Sequence, residues 1–225
     1  GDVDGFDFEA FANLEGAGGA DEFAFTGGSI SGDIDGGSGT DTLDYSGASG
    51  PISFDLGAST ADNIGGTFTN IEAVVGTGNS GDTLVGTGAD ETWTISGGDS
   101  GDVDGFDFEA FANLEGAGGA DDFVFAGGSL SGAIDGGAGS DTLRGDVITD
   151  VVLTASDADG YSGNVTDDPN ALDGSPDADF TGIDTLTGSG GGTLTGRDTA
   201  STWELGATPS YNDGAGNGEL EFGGL

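Results

Sequence analysis

The 225-residue chain contains no cysteine, histidine, lysine or methionine, and its only basic residues are Arg144 and Arg197. Each absence removes a chemistry. Without Cys there is no disulfide or thiol nucleophile, and without Cys and His there is no zinc site of the usual ligands. A Ser-His-Asp triad, a Schiff base and the phosphate-binding lysine of a nucleotide loop are excluded in the same way. The shortage of cations rules out nucleic acid as a partner, because Lys and Arg must replace the counterions of a phosphate backbone. It also opposes docking on anionic lipid. No apolar run approaches the roughly 20 residues of a membrane span. The sequence shows neither an initiator Met nor a signal peptide, so a mature product or a window of a longer protein is expected.

What is present is acidic and glycine-rich: 42 Asp and Glu, 50 Gly, and a net charge of −40. Divalent cations are the natural partners of so many carboxylates. Paired carboxylates suffice for glycoside hydrolysis, but among 42 of them chance pairs carry no weight, and no enzymatic role is expected. Leu, Ile, Val and Phe total 47 residues, close to the fraction below which a highly charged chain stays disordered. Only ordered periodicity excludes disorder.

Such order exists at two scales. GDVDGFDFEAFANLEGAGGAD occurs at 1–21 and again, letter for letter, at 101–121, and residues 1–43 differ from 101–143 at seven positions. Further on, FTNIEAVVG (68–76) aligns with FTGIDTLTG (180–188), ETWTISG (91–97) with STWELG (201–206), and FANL (111–114) with FGGL (222–225). Two units follow, 1–100 and 101–225, the second carrying a loop insertion near 157–179 that is expected to be solvated. Within the units an Asp recurs at 21, 41, 62, 82, 102, 121 and 141, each shortly followed by an apolar residue. A disordered acidic chain would not hold that register.

The short apolar pieces alternate: Phe23-x-Phe25, Leu43-x-Tyr45, Ile52-x-Phe54-x-Leu56. Period two puts these side chains on one face of a strand, and the Gly, Asp, Asn and Ser between them supply turns. The expected fold class is all-β, a parallel β-solenoid of the β-helix or β-roll kind with rungs of about 20 residues. Equivalent positions would then stack at about 4.8 Å, and about eleven rungs would span on the order of 50 Å. Trp93 and Trp203, in matching T-W-x-[IL] strands, and the Phe-rich DGFDFEAFANL stretch are read as core rather than as ligand-binding surface.

GGSGTDTLD (36–44) and GGAGSDTLR (136–144) fit the nonapeptide G-G-x-G-x-D-x-U-x, where U is a large apolar residue. Together with Trp93 and the string F-x-x-F-x-N-L-E-G-x-G-G-A-D-x-F-x-F, they resemble repeats of giant bacterial secreted and surface proteins. These are the adhesin-like, filamentous-haemagglutinin-like and hemolysin-type calcium-binding repeat proteins. The resemblance covers nearly the whole chain outside the insertion. It implies an extracellular or cell-surface location and a structural role as filament, stalk or adhesin segment. Partners would be further copies or continuation of the array, divalent cations, and a cell-surface or matrix polysaccharide.

In that family calcium is held between Gly-rich turns by the motif Asp. Asp41 and Asp141 occupy that position in complete motifs, Asp21 and Asp121 in GAGGAD, and Asp82 in the stretched GNSGDTL. Calcium takes six to eight oxygens, which suits such turns. The alternative is that each Asp closes its own turn by side-chain-to-backbone hydrogen bonds. The motifs here stand singly rather than in tandem, and both readings are open. Either way, stacked carboxylates repel within a screening length of roughly 8 Å and favour saline, divalent-rich surroundings.

Overall fold

The computed structural model describes residues 2–3, 6–7, 11–165, 180–188 and 190–224. The described chain is all-β, without a helix. Strands of two to seven residues alternate with turns built on Gly and Asp, and parallel pairings outnumber antiparallel ones by fifteen to eight among the described residues.

The largest sheet has twelve strands. From one edge it runs parallel through Glu22–Ala24, Thr42–Asp44, Ala73–Val75 and Phe106–Glu109. It then turns antiparallel through Ser100–Val103 to Thr92–Gly97. Parallel pairing resumes with Asp122–Phe125, Thr142–Gly145, Thr185–Thr187 and Leu220–Gly223. The far edge is reached antiparallel through Ser210–Asn212 at Thr202–Glu204. A nine-stranded sheet has Thr60–Ala61 and Leu194–Thr195 as its edges, and a three-stranded one joins Leu14–Glu15, Ile34–Asp35 and Phe68–Thr69. Both large sheets run through both sequence units.

Register aligns like with like. Leu43, Val74 and Phe108 face one another across neighbouring strands, as do Trp93, Phe123, Leu143, Leu186 and Phe222. In the nine-stranded sheet the column is Phe54, Leu84, Leu114, Ile134 and Phe180. These columns meet in one continuous core, with Trp93 stacked on Phe123 at 5.5 Å and Phe54 on Phe68 at 4.5 Å. Each fully buried Leu, Ile or Phe contributes about 1.5–3 kcal/mol. Long columns of a few residue types therefore hold a chain otherwise poor in apolar residues.

Four expectations need correction. The 20-residue spacing holds between stacked neighbours only where no hairpin intervenes, as for Leu14 and Ile34 or Phe123 and Leu143. Elsewhere the step is longer, from 30 (Phe54 to Leu84), 31 (Leu43 to Val74) and 34 (Ile34 to Phe68) to 43 (Leu143 to Leu186) and 46 (Ile134 to Phe180). The extra chain is consumed by antiparallel excursions at Ser53–Ala61, Thr92–Glu109, Val151–Val165 and Thr202–Gly223. These make the sheets mixed rather than wholly parallel. Residues 160–165 are not a solvated loop: beyond an exposed turn at 158–159, Gly160–Val165 pairs with Val151–Asp157, burying Tyr161 and Val165. The remainder of the insertion, 166–179, lies outside the described residues. Finally, Phe222 faces Leu186 as Phe108 faces Val74, so its counterpart is Phe108 rather than the Phe111 of FANL.

Candidate functional site: two ladders of buried carboxylates

The motif aspartates do not point to solvent. Asp41, Asp82, Asp121 and Asp141 are fully buried, and Asp21 is half-buried. The cause is local. The apolar residue two positions later must enter the core, and the strand's alternation turns the Asp inward at the mouth of the preceding Gly-rich turn.

The carboxylates of Asp41, Asp82, Asp121 and Asp141 each accept a backbone N–H from the chain stacked on them. The backbone N–H of Asp21 donates to Oδ1 of Asp41 at 2.8 Å, and that of Asp41 to Oε2 of Glu72 at 2.8 Å. A second ladder runs Glu91, Asp121, Asp141, Asp184. In it Glu91 N–H donates to Asp121 Oδ1 (2.9 Å), Asp121 N–H to Asp141 Oδ1 (2.8 Å), and Asp141 N–H to Asp184 Oδ2 (3.0 Å).

Asp82 belongs to neither ladder. Its Oδ1 accepts the Ile52 N–H, and its Oδ2 accepts the N–H groups of Thr77 and Asn79, so it closes its own turn with both oxygens satisfied. Asp62 and Asp102, in register by sequence, lie on the antiparallel excursions: Asp62 accepts the N–H of Ser53, and Asp102 that of Gly105. Glu72, Glu91 and Asp184 take the ladder positions instead. Two of these were visible in the alignment, since FTNIEAVVG against FTGIDTLTG sets Glu72 opposite Asp184. Glu91 offered no such signal, because Ser201 replaces it in the second unit.

The second carboxylate oxygen distinguishes the motif aspartates of the ladders from Asp82, and from Glu91, both of whose oxygens accept the Thr87 N–H. Oδ2 of Asp21, Asp41, Asp121 and Asp141 is buried with no hydrogen-bond partner. In the Asp121 turn this oxygen and the carbonyl of Gly136 crowd the space beside Gly116, where no side chain could fit. Burial pushes the Asp121 carboxyl up to about 7, the charges of Asp141, Glu91 and Asp90 adding to the rise against the pull of the Glu91 N–H. Asp141 is pushed up to about 6, again by burial first, with Asp184, Asp135 and Asp159 as neighbouring charges and the Asp121 N–H opposing. Asp184 is raised by burial and by Asp159. A charged carboxylate with one oxygen unsatisfied in a low-dielectric turn is costly, so protonation or a cation is favoured there. Among the described residues, no group of three or more His, Cys, Asp or Glu side chains is arranged to hold a metal ion.

Both arginines are engaged. Arg144 makes a bidentate pair with Asp122 through Nε and Nη2, at 2.7 Å each. Arg197 Nη1 binds the buried Asp213 carboxylate and donates to Ser156 Oγ at 2.9 Å, and Ser156 itself donates to Asp213 at 2.6 Å. This cluster ties the Val151–Asp157 strand to the segment after Ser210–Asn212. Compared with known proteins, the chain matches no family model and no curated protein.

Proposed function

We propose that this chain is a structural repeat segment of a bacterial surface filament, stalk or giant adhesin, wound as a β-solenoid of mainly parallel strands and working outside the cell. One observation carries the reading. The column Trp93, Phe123, Leu143, Leu186, Phe222 passes through successive strands in register, and the second sequence unit extends the sheets of the first without forming a new core. Adding repeats to such an array lengthens it at constant cross-section, which is what a spacer requires. The chemistry left by the composition agrees: the two arginines are held in ion pairs, and no catalytic role is proposed. The charge of −40 suits a saline exterior, where screening is strong. Small-angle scattering of the dilute chain tests this. An elongated particle of constant cross-section is expected, and a compact, near-spherical one overturns the reading.

A second reading, a calcium-dependent module that grips polysaccharide, is favoured by the unpartnered Oδ2 atoms of Asp21, Asp41, Asp121 and Asp141. Calcium there would complete the shell of these oxygens together with turn carbonyls. Melting with calcium and with chelator separates the two readings, because a ligand of the folded state alone raises the midpoint. An unchanged midpoint removes calcium from the account.

A further inference from the structure

Four strands at sheet edges have counterparts elsewhere in the chain that are covered. Thr202–Glu204 has one neighbour among the described residues, and so has Leu194–Thr195. At the opposite edges the same holds for Glu22–Ala24 and Leu14–Glu15. The internal repeat shows what covers each. Thr92–Gly97, the counterpart of Thr202–Glu204, pairs in parallel with Asp122–Phe125, the counterpart of Glu22–Ala24. Thr83–Val85, the counterpart of Leu194–Thr195, pairs in parallel with Asn113–Glu115, the counterpart of Leu14–Glu15. The junction between units is thus a two-sheet contact whose halves recur, uncovered among the described residues, at the two edges.

Burial tells the same story residue by residue. Trp93 and Ile95 are fully buried at the junction, whereas Trp203 is 39 % and Leu205 83 % exposed. Asp121, Leu114 and Phe123 are buried, while Asp21 and Leu14, in an identical sequence, and Phe23 are only half-buried. Leu194, Trp203, Leu205, Pro209 and Phe222 line an open apolar groove of about 400 Å³. Charge opposes this contact less than it opposes the internal junction. Asp82, Asp90 and Glu91 at the internal junction become Gly192, Ala200 and Ser201 at this edge, while Glu204 replaces Thr94. Fewer carboxylates would face the partner's Asp21 and Glu22 than face Asp121 and Asp122 within the chain.

We infer that the edge formed by Leu194–Thr195 and Thr202–Glu204 docks, head to tail and in the register of the internal junction, on Leu14–Glu15 and Glu22–Ala24 of a second copy of this chain. The inference rests on the structural-repeat reading and gives it a defined contact. Trp93 opposite Phe123 becomes Trp203 opposite Phe23, Leu84 opposite Leu114 becomes Leu194 opposite Leu14, and Ile95 opposite Phe125 becomes Leu205 opposite Phe25. The Ser201 N–H takes the place of the Glu91 N–H that donates to Asp121 Oδ1, and reaches Asp21. Because the contact joins unlike edges, it does not close on a pair and propagates into a linear polymer. Like charge opposes it, so association strengthens with salt.

The chain lacks cysteine, which makes the register directly testable. Glu204 and Ala24 are exposed and correspond to the paired Thr94 and Val124. Opposed parallel strands lie about 4.8 Å apart, within disulfide reach. The 225-residue Glu204→Cys and Ala24→Cys chains are mixed at 0.5 M salt, on the order of five times the concentration at which screening reaches 10 Å, with oxidised glutathione as oxidant. A mixed disulfide dimer is expected to dominate over either homodimer, and the double variant to give a ladder of covalent oligomers. Leu205→Asp on the Glu204→Cys chain should abolish the mixed dimer while leaving its circular dichroism unchanged. Sedimentation of the unmodified chain should show species larger than a monomer that grow with salt. Homodimers as abundant as the mixed product, or a chain that stays monomeric with its groove taken by a polysaccharide, overturn the inference. A monomer that is still elongated by scattering removes only this contact. A compact monomer removes the structural-repeat reading as well.

Discussion

Asp121 donates its backbone N–H to the carboxylate of Asp141, twenty residues further on, at 2.8 Å, while the second oxygen of each carboxylate is buried without a partner. The bond locks two stacked strands together, and the orphaned oxygens make the lock sensitive to its proton.

That arrangement sets a pH dependence. Folding raises the Asp121 carboxyl from 3.8 to about 7 and Asp141 from 3.8 to about 6. A raised folded-state value means the native chain binds protons more tightly than the unfolded one. The stability it contributes is complete below pH 3.8 and is lost as pH climbs towards 7. In chelator the melting midpoint should fall between pH 4.5 and 7.5, a window of about three pH units bracketing both carboxyls. Asp121→Asn keeps the acceptor for Glu91 N–H and should flatten this fall, whereas Asp121→Ala leaves that N–H unpaired and should cost about 1–3 kcal/mol at any pH. A wild-type midpoint independent of pH would remove the buried-carboxylate account.

Arg197 should behave in the opposite sense. Burial raises the Asp213 carboxyl, but the Ser156 hydroxyl, the Ala215 N–H and the Arg197 guanidinium together hold it below its ordinary value. A lowered value contributes stability above pH 3.8 that disappears as pH falls below it, so acid should loosen this cluster while relaxing the Asp121 ladder. Arg197→Ala strands a buried charge and should cost about 3–5 kcal/mol. Arg144→Ala, at an exposed pair with Asp122, should cost no more than about 1 kcal/mol. Chemical denaturation of the two variants at pH 7 compares them directly, and equal losses would refute the distinction.

The two tryptophans offer a second internal comparison. Trp93 is fully buried against Phe123 and edge-on to Phe108, and its truncation to Ala should cost about 3–5 kcal/mol. Trp203 packs edge-on to Tyr211 and Phe222 but is partly exposed, so Trp203→Ala in the dilute monomer should cost clearly less. Urea titration of both variants checks the order.

Two glycines, Gly139 of the second nonapeptide and Gly105 of the turn between Ser100–Val103 and Phe106–Glu109, separate close approach from conformation. At Gly139, with φ +155°, an added Cβ would fall on the carbonyl of Gly119 in the turn stacked beneath it. At Gly105, with φ +88°, it would meet nothing within 4 Å. Gly105→Ala should cost only the left-handed penalty of about 1–2 kcal/mol. Gly139→Ala should exceed about 4 kcal/mol, or prevent cooperative folding. Comparable thermal midpoints for the two would show that the turns do not stack as closely as described.

Much of this protein was legible in its sequence. Alternation in Phe23-x-Phe25 and Leu43-x-Tyr45 determined strands with one buried face, because side-chain direction in a strand has period two. Near-identity of 1–43 and 101–143 determined that whatever the first unit builds, the second builds again, and the motif glycines announced turns that allow a backbone to approach closely. The tertiary structure alone decided which turn lies on which. Asp62 and Asp102 keep a 20-residue register in the sequence, yet antiparallel excursions carry them aside and bring Glu72 and Glu91 to the ladders. Spacing along a chain measures contour length, whereas stacking depends on how much of that length each hairpin takes up. The environment of a repeated residue was beyond the sequence for the same reason: Phe11 and Phe111 sit in identical surroundings of sequence, one 66 % exposed and the other fully buried. Burial belongs to the neighbouring strand, and that neighbour is supplied by the fold.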